Sequence, residues 1–220
     1  MHAQTKPRPE PYVWATWLAK LLAGEVSCEW SAWFRAHHFA AKSEKIDGDF
    51  DLELWRLDHT ALIRRTVAEF EGKGYTVAIE NQNQFALKGK VGTLAGRPDV
   101  VAVQGDEGWI VDAKTGQPRG SDRVQVALYM WALPKANPLY AGVRFRGRVE
   151  YKCRFGIIES EEVDSAFVAR VAEMMREVCG PDPPRKSPSF RECQFCPLTP
   201  DDCVDRVETE AVYAGVTEEF

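Results

Sequence analysis

The sequence predicts an α/β fold in which helices cover both faces of a central mixed sheet. Three observations predict it. Apolar residues recur at helical spacing up to about residue 72, short β-branched and aromatic runs separated by glycines follow, and helical patterns return after residue 120. The run from Asp99 to Gln104 is apolar on both of its alternating faces, as expected of a strand that is covered twice.

Helices are predicted for the N-terminal third of the chain. The first is expected from Pro11 to Ala23, and the second follows Ser27, a candidate capping residue. After a polar loop over residues 42–49, a long helix is expected from Leu52 to Glu71, where Gly72 and Gly74 end it.

The remaining elements alternate between strands and helices. A proline-rich connector over residues 180–189 leads to a cysteine cluster, and the last residues, from about 204, form an acidic tail. The predicted strands cover residues 75–80, 85–89, 99–104, 108–114 and 149–158, and the predicted helices cover residues 121–133 and 160–178.

Length and composition predict one compact domain. With 220 residues, 45% of them hydrophobic, the chain is long enough for one substantial core. Within it we distinguish an N-terminal helical segment (residues 1–50), a central core (51–178) and a C-terminal segment with tail (179–220). The sequence has neither a long apolar run nor a secretory signal pattern, so we expect a cytoplasmic protein without a membrane span.

The charge distribution is ambiguous about nucleic acids. The formal net charge of −5 is not typical of a nucleic-acid-binding protein, because such domains usually carry a basic excess that attracts phosphate. A short basic stretch from Arg144 to Arg154 is the exception. It indicates either a phosphate-binding surface or a solvated strand edge.

Two acids and a lysine are predicted to share one face of a hairpin. Asp99 begins one strand, while Asp112 and Lys114 lie near the end of the next, with a turn signal at residues 105–108. A turn centred there places Asp99 opposite Lys114 and Val101 opposite Asp112. Because strand side chains alternate with a period of two, all three polar side chains then point the same way.

This arrangement is suited to a divalent metal ion. Carboxylates are hard oxygen ligands of Mg²⁺ and Mn²⁺, which retain open positions for water and for a phosphate oxygen. A nearby ammonium group can orient a nucleophile or stabilise an oxyanion. The pattern therefore predicts hydrolysis of a phosphodiester, although an isolated D-x-K sequence is more often an exposed strand end.

The helix after Lys114 extends the pattern, since Gln125 and Tyr129 lie four residues apart on one face. A D-x-K strand end followed by Q-x-x-x-Y resembles the RecB-like branch of the PD-(D/E)XK nucleases. The resemblance implies a restriction-endonuclease-like α/β/α sandwich, a nuclease core over residues 51–178, and Gln125 and Tyr129 beside the metal. It also implies that His59 is a third metal ligand. Glu53 and Asp58 are lesser candidates.

Three of the six cysteines are clustered near the C-terminus. Cys193, Cys196 and Cys203 have C-x2-C-x6-C spacing in a loop, which is typical of metal-binding thiolates. A fourth ligand is needed, and the spacing leaves two candidates. Cys179 would complete a contiguous zinc or iron-sulfur site, whereas Cys28 would join the site from the other end of the chain.

One cysteine before the core and three after it resembles the iron-sulfur nucleases, namely the CRISPR-associated RecB-like exonucleases and the nuclease domain of AddB. The resemblance implies a 4Fe-4S cluster on Cys28, Cys193, Cys196 and Cys203 that ties the N-terminal helices to the C-terminal segment. Many CRISPR-associated members have Pro-Arg after the first cysteine, where this chain has Glu-Trp. The two remaining thiols, those of Cys153 and Cys179, are then expected to be buried small side chains.

The expected function is that of a Mg²⁺- or Mn²⁺-dependent DNA nuclease, an exonuclease on single-stranded DNA or duplex ends. The resemblance further implies processing of DNA fragments for CRISPR adaptation beside an integrase partner. Two alternatives remain open. One is a non-catalytic iron-sulfur DNA-binding or scaffold subunit, and the other is a zinc-stabilised interaction domain.

Overall fold

The structure, a computed structural model, describes residues 5–39 and 51–210, so the predicted loop over 42–49 and the end of the tail lie outside it. The helices are α1 (Ala15–Leu22), α2 (Glu29–His37), α3 (Leu52–Gly72), α4 (Gly120–Ala136), α5 (Ser165–Cys179) and α6 (Phe190–Gln194). The strands are β1 (Lys6–Pro7), β2 (Tyr12–Trp14), β3 (His38–Phe39), β4 (Thr76–Ile79), β5 (Phe85–Lys88), β6 (Thr93–Gly96), β7 (Val100–Gln104), β8 (Glu107–Lys114), β9 (Arg144–Tyr151) and β10 (Phe155–Ile158).

A five-stranded mixed sheet forms the centre, in the order β10-β9-β8-β7-β4. Strands β8 and β9 pair in parallel because α4 crosses between them, and the other neighbours are antiparallel. Three further strands form a second sheet in the order β2-β6-β5. The predicted α/β fold with a mixed sheet is confirmed.

Side-chain alternation in the central sheet separates two apolar layers. Val101 and Ile110 belong to the larger cluster, with α1, α4 and α5 on one face. Val100, Ala102 and Val111 belong to the smaller cluster, with α3 on the other face. The central strands are therefore covered on both sides, as the apolar run in β7 predicts.

The long helix α3 begins and ends where the sequence indicates. The carboxylate of Asp51 accepts a hydrogen bond of 2.9 Å from the backbone N–H of Leu54, which satisfies one free donor of the first turn. After the helix, Gly74 adopts a φ of 84°, a conformation in which a side chain would be strained. No helix within the described ranges is long and apolar enough to cross a membrane.

The N-terminal helices differ from the prediction at their first residues. The segment Tyr12–Trp14 is extended and pairs in parallel with β6, so α1 begins only at Ala15. Ser27 is not the cap of α2. The residue before that helix is Cys28, and the Ser27 hydroxyl instead donates to the carboxylate of Glu192.

The predicted strand over residues 149–158 is a hairpin of β9 and β10. Strand β9 lies inside the sheet, so its basic stretch is not a strand edge. Arg146 pairs with Glu159, and the buried Arg148 pairs with Glu69 and Glu150. These pairs occupy two of the basic side chains that indicated phosphate binding.

Helix α5 begins later than predicted. A 3₁₀ turn precedes α5, whose first turn is capped by Asp164, which accepts from the backbone N–H of Phe167 at 2.7 Å. The connector over residues 180–189 has no regular secondary structure, as its prolines predict. The short helix α6 begins at Phe190 within the predicted cysteine loop.

The close approach of α4 to β9 gives a test of this packing. A Cβ added at Gly147 would lie 2.5 Å from Val126 Cγ1 and 2.7 Å from Met130 Sδ. We expect Gly147→Ala to lower the free energy of unfolding by about 1–3 kcal/mol, because the added methyl group would overpack the core between α4 and β9. Gly116→Ala is the control, since nothing lies within 4 Å of its added Cβ. Equal urea midpoints for the two variants would contradict the packing.

Candidate functional site

The hairpin of β7 and β8 sets the geometry of the candidate site. Its turn consists of Gly105, with a φ of 64°, and Asp106, and Val100 pairs with Val111. Continued by one residue, this register places Asp99 beside Asp112. The predicted register is therefore wrong by two residues, but a shift of two preserves the side-chain face.

All six side chains predicted for the catalytic and metal site line one cavity of ≈ 480 Å³. They come from α3, from the start of β7, from the end of β8 and from α4. They are His59, Asp99, Asp112, Lys114, Gln125 and Tyr129.

Asp112 is the buried acid of the cavity, 3% exposed at the end of an apolar strand. Its Oδ1 accepts a hydrogen bond of 2.9 Å from Gln125 Nε2, and its Oδ2 lies 2.7 Å from Lys114 Nζ. Burial raises the pKa of Asp112 to about 6, while the neighbouring ammonium group opposes that rise.

Gln125 connects the acid to the rest of the site. Its Oε1 accepts from Lys114 Nζ at 3.1 Å, and its Nε2 also donates to the hydroxyl oxygen of Tyr129 at 2.8 Å. Burial raises the pKa of Tyr129 above its usual range, so the phenol is protonated at neutral pH. The Q-x-x-x-Y spacing thus places both side chains on one helical turn over Asp112.

Asp99 forms the other half of the site. Its Oδ2 accepts from the backbone N–H of Ala113 at 2.7 Å and lies 3.3 Å from His59 Nε2. The hydrogen bond to Asp99 raises the pKa of His59. The imidazole also stacks on Trp55, with ring centroids 5.0 Å apart. The stacking on one face and the contact of Nε2 with Asp99 together orient the His59 ring.

The donor set fits a hard divalent cation. Two carboxylates and an imidazole face one cavity, and Asp112 Oδ2 is a buried oxygen that accepts no hydrogen bond of ordinary geometry. Within residues 5–39 and 51–210, however, no three His, Cys, Asp or Glu side chains already stand as a metal-ligand group. Asp112 pairs with Lys114 and Asp99 with His59, so these contacts must rearrange to admit an ion.

Sequence reasoning missed part of the cavity wall. Trp14, Thr16, Trp55 and Arg97 also line it, and no motif links these separated segments. Neither lesser candidate, Glu53 or Asp58, lines the cavity. Asp58 instead forms an ion pair of 2.6 Å with Lys152.

A second cavity, of ≈ 360 Å³, collects the cysteines Cys28, Cys193, Cys196 and Cys203. Cys28 reaches it from the start of α2, and the other three come from α6 and the loop after it. Cys179 lies elsewhere, buried in the main core. Cys153 is exposed in the turn between β9 and β10, so its predicted burial is wrong.

Cations line the cysteine cavity as well, namely Lys20, Arg35, Lys186 and Arg206. Arg206 Nη1 also donates to the carbonyl oxygens of Cys196 and Leu198, which shapes the loop. A positive wall around four thiols suits a negatively charged metal-thiolate group. Four thiols are the donor type of zinc and iron-sulfur sites. As at the first cavity, no three of them already stand as a metal-ligand group within the described residues, so their side chains would have to turn inward to hold either one.

Hydrogen bonds join the two ends of the chain around this cavity. The Thr5 hydroxyl donates to Asp202, and both the backbone N–H and the hydroxyl of Ser27 donate to Glu192. Trp33 Nε1 donates to the carbonyl oxygen of Gly180 at 2.8 Å. The N-terminal helices are thus attached to the C-terminal segment by protein contacts.

Comparison with known proteins identifies a family for the chain. The sequence profile of the PD-(D/E)XK nuclease superfamily matches residues 14–200. A similar solved structure is described as "Crystal structure of SSO0001", with 17% sequence identity over 89% of this chain and 85% of that chain, and a TM-score of 0.43. No curated protein matches the chain.

The hydrogen bonds of Gln125 predict a stability effect. Gln125→Leu leaves the polar atoms of Asp112, Lys114 and Tyr129 without that partner, so we expect the free energy of unfolding to fall by about 1–3 kcal/mol. The exposed Gln117→Leu is the matched control and should change it little. Denaturant titration measures both. An unchanged Gln125→Leu midpoint would mean that the network is not formed.

Proposed function

The chain belongs to the PD-(D/E)XK nuclease superfamily, and from this premise we propose that it is a Mg²⁺- or Mn²⁺-dependent deoxyribonuclease. We propose an exonuclease that acts on single-stranded DNA or on duplex ends. The observation that carries the proposal is that Asp99, Asp112 and Lys114 line one cavity on the same face of a hairpin. Family membership supports nuclease activity in general, and the metal and the substrate are part of the proposal.

In this proposal His59, Asp99 and Asp112 hold the metal ion. When bound, the ion supplies a water of lowered pKa and neutralises charge that develops on phosphorus. Lys114 Nζ, held by Asp112 and Gln125, is placed to orient the attacking water. Because the cavity partly shields these charges from water, they interact more strongly than they would in bulk solvent.

Gln125 and Tyr129 have supporting roles in the proposal. Gln125 fixes Asp112 and Lys114 at the same time, so it sets the distance between ligand and cation. Tyr129, a protonated phenol behind Gln125, limits the rotation of the amide. Both line the cavity through which the DNA strand would approach.

We further propose that the chain is of the RecB-like branch with a 4Fe-4S cluster on Cys28, Cys193, Cys196 and Cys203. Their position around one cavity with cationic walls supports this ligand set over one that includes Cys179. The cluster would add a covalent tie where hydrogen bonds already join the chain ends.

The order of the cysteines along the chain supports a biological proposal as well. In it, the protein is cytoplasmic and trims DNA fragments for CRISPR adaptation with an integrase complex as partner. The AddB-type nuclease, which belongs to DNA repair, is the second choice. The two roles differ in the partner but share the same cleavage chemistry.

Substitution of the catalytic residues tests the activity. Asp99→Ala should abolish manganese-dependent cleavage of labelled single-stranded DNA, and Lys114→Ala should slow it by about 100-fold or more, because charge stabilisation is lost. Asp106→Ala, at the exposed hairpin turn, is the matched control and should retain activity. Equal cleavage by all variants would identify a contaminating nuclease.

The bound group is tested by colour and by cysteine substitution. Anaerobically purified protein should be brown and bleach on reduction, which zinc alone cannot explain. Cys28→Ala should lose most of the bound iron, whereas Cys179→Ala should retain it, because Cys28 lines the cavity and Cys179 does not. Loss of iron from the Cys179→Ala variant alone would make Cys179, and not Cys28, the fourth ligand. A colourless parent protein that contains zinc would replace the cluster proposal with that of a zinc site.

A further inference from the structure

The four cations that line the cysteine cavity, namely Lys20, Arg35, Lys186 and Arg206, differ in their partners. Lys186 Nζ lies 2.7 Å from Asp205, and Arg206 Nε lies 3.6 Å from Glu208. No carboxylate of the described chain lies within 4.0 Å of the Arg35 guanidinium. Lys20 has no such partner within the described residues either, but it is exposed, so Arg35 is the cation of this cavity that combines a buried guanidinium nitrogen with the lack of a carboxylate partner.

Arg35 is held firmly in this position. It lies on α2, with its guanidinium carbon 3.6 Å from the centroid of the Trp17 ring, and its buried Nε donates no hydrogen bond. Burial lowers the pKa of Arg35 to about 10, which still leaves it charged at neutral pH.

Glu192 does not compensate Arg35. It also lines the cavity, but its Oε1 accepts both hydrogen bonds from Ser27, at 2.8 and 2.6 Å. A cation that buries one of its nitrogens without an anion is costly, so Arg35 indicates that the cavity accommodates negative charge. Four thiolates on a metal group would supply that charge.

We propose that Arg35 is the fixed counter-charge of the group bound by the four cysteines, and that it raises the reduction potential of that group. The proposal rests on the proposed 4Fe-4S cluster. Reduction adds one electron to an already negative assembly, and a buried positive charge nearby stabilises the added charge. Arg35 is thus a tuning residue, since it acts on the cluster from the cavity wall without ligating it.

The test is a redox titration of the intact, cluster-loaded protein. Dithionite supplies the electron, and visible absorption reports the reduced fraction. Arg35→Gln should shift the midpoint to more negative values by a tenfold change in the reduction equilibrium, about 59 mV for one electron. Arg35→Lys, which retains the charge, should restore most of the potential.

Arg191→Gln is the matched control. Arg191 lies on α6 two residues before Cys193, but it is exposed and does not line the cavity. The substitution removes the same unit charge as Arg35→Gln. Because solvent and salt screen the exposed charge of Arg191, the midpoint should stay at the parental value. If Arg35→Gln does not fold, Arg35→Met replaces it, because a flexible thioether still packs on Trp17.

The outcomes separate the two proposals. A brown parent with a shifted Arg35→Gln midpoint and an unshifted Arg191→Gln midpoint supports the role of Arg35. A brown parent whose Arg35→Gln or Arg35→Met midpoint equals that of Arg191→Gln overturns it and leaves the cluster in place. A colourless parent overturns the cluster, and the redox role of Arg35 with it.

Discussion

The site depends on one constraint, the burial of the Asp112 carboxylate at the end of an apolar strand. A buried acid needs partners, and here Lys114 and Gln125 supply them from two different elements. Because Lys114 lies two residues further along the same strand, the strand itself delivers the cation to the acid. Helix α4 must then pack where Gln125 reaches both groups, so the position of the helix and the chemistry of the site are set together.

The same arrangement explains the architecture around the site. The parallel pairing of β8 and β9 requires a crossover, and α4 is that crossover. Its close approach at Gly147 holds it against the sheet. On the opposite face, α3 covers Val100, Ala102 and Val111 and carries His59 towards Asp99. The helices that cover the two faces of the sheet thus bring Gln125 and His59 to the two acids of the hairpin.

Much of this was predictable from the sequence, for local physical reasons. The common face of Asp99, Asp112 and Lys114 follows from the period of two, which tolerates the register error. Helix α3 is marked by its cap and its terminal glycine. The pairing of β2 with β6 was not predictable, because a three-residue strand has no periodicity of its own. The position of Cys28 beside the other three cysteines was predicted from the family resemblance alone, since sequence spacing does not report distance in space.

Thr16 on α1 lines both cavities, so this helix separates the cavity of the acids from the cavity of the cysteines. The face of α1 that packs into the core carries Ala15, Leu18 and Ala19, which are fully buried. A close-packed wall transmits displacement instead of absorbing it. A displacement of α1 at the cysteine cavity would therefore also displace part of the wall of the cavity that holds the acids.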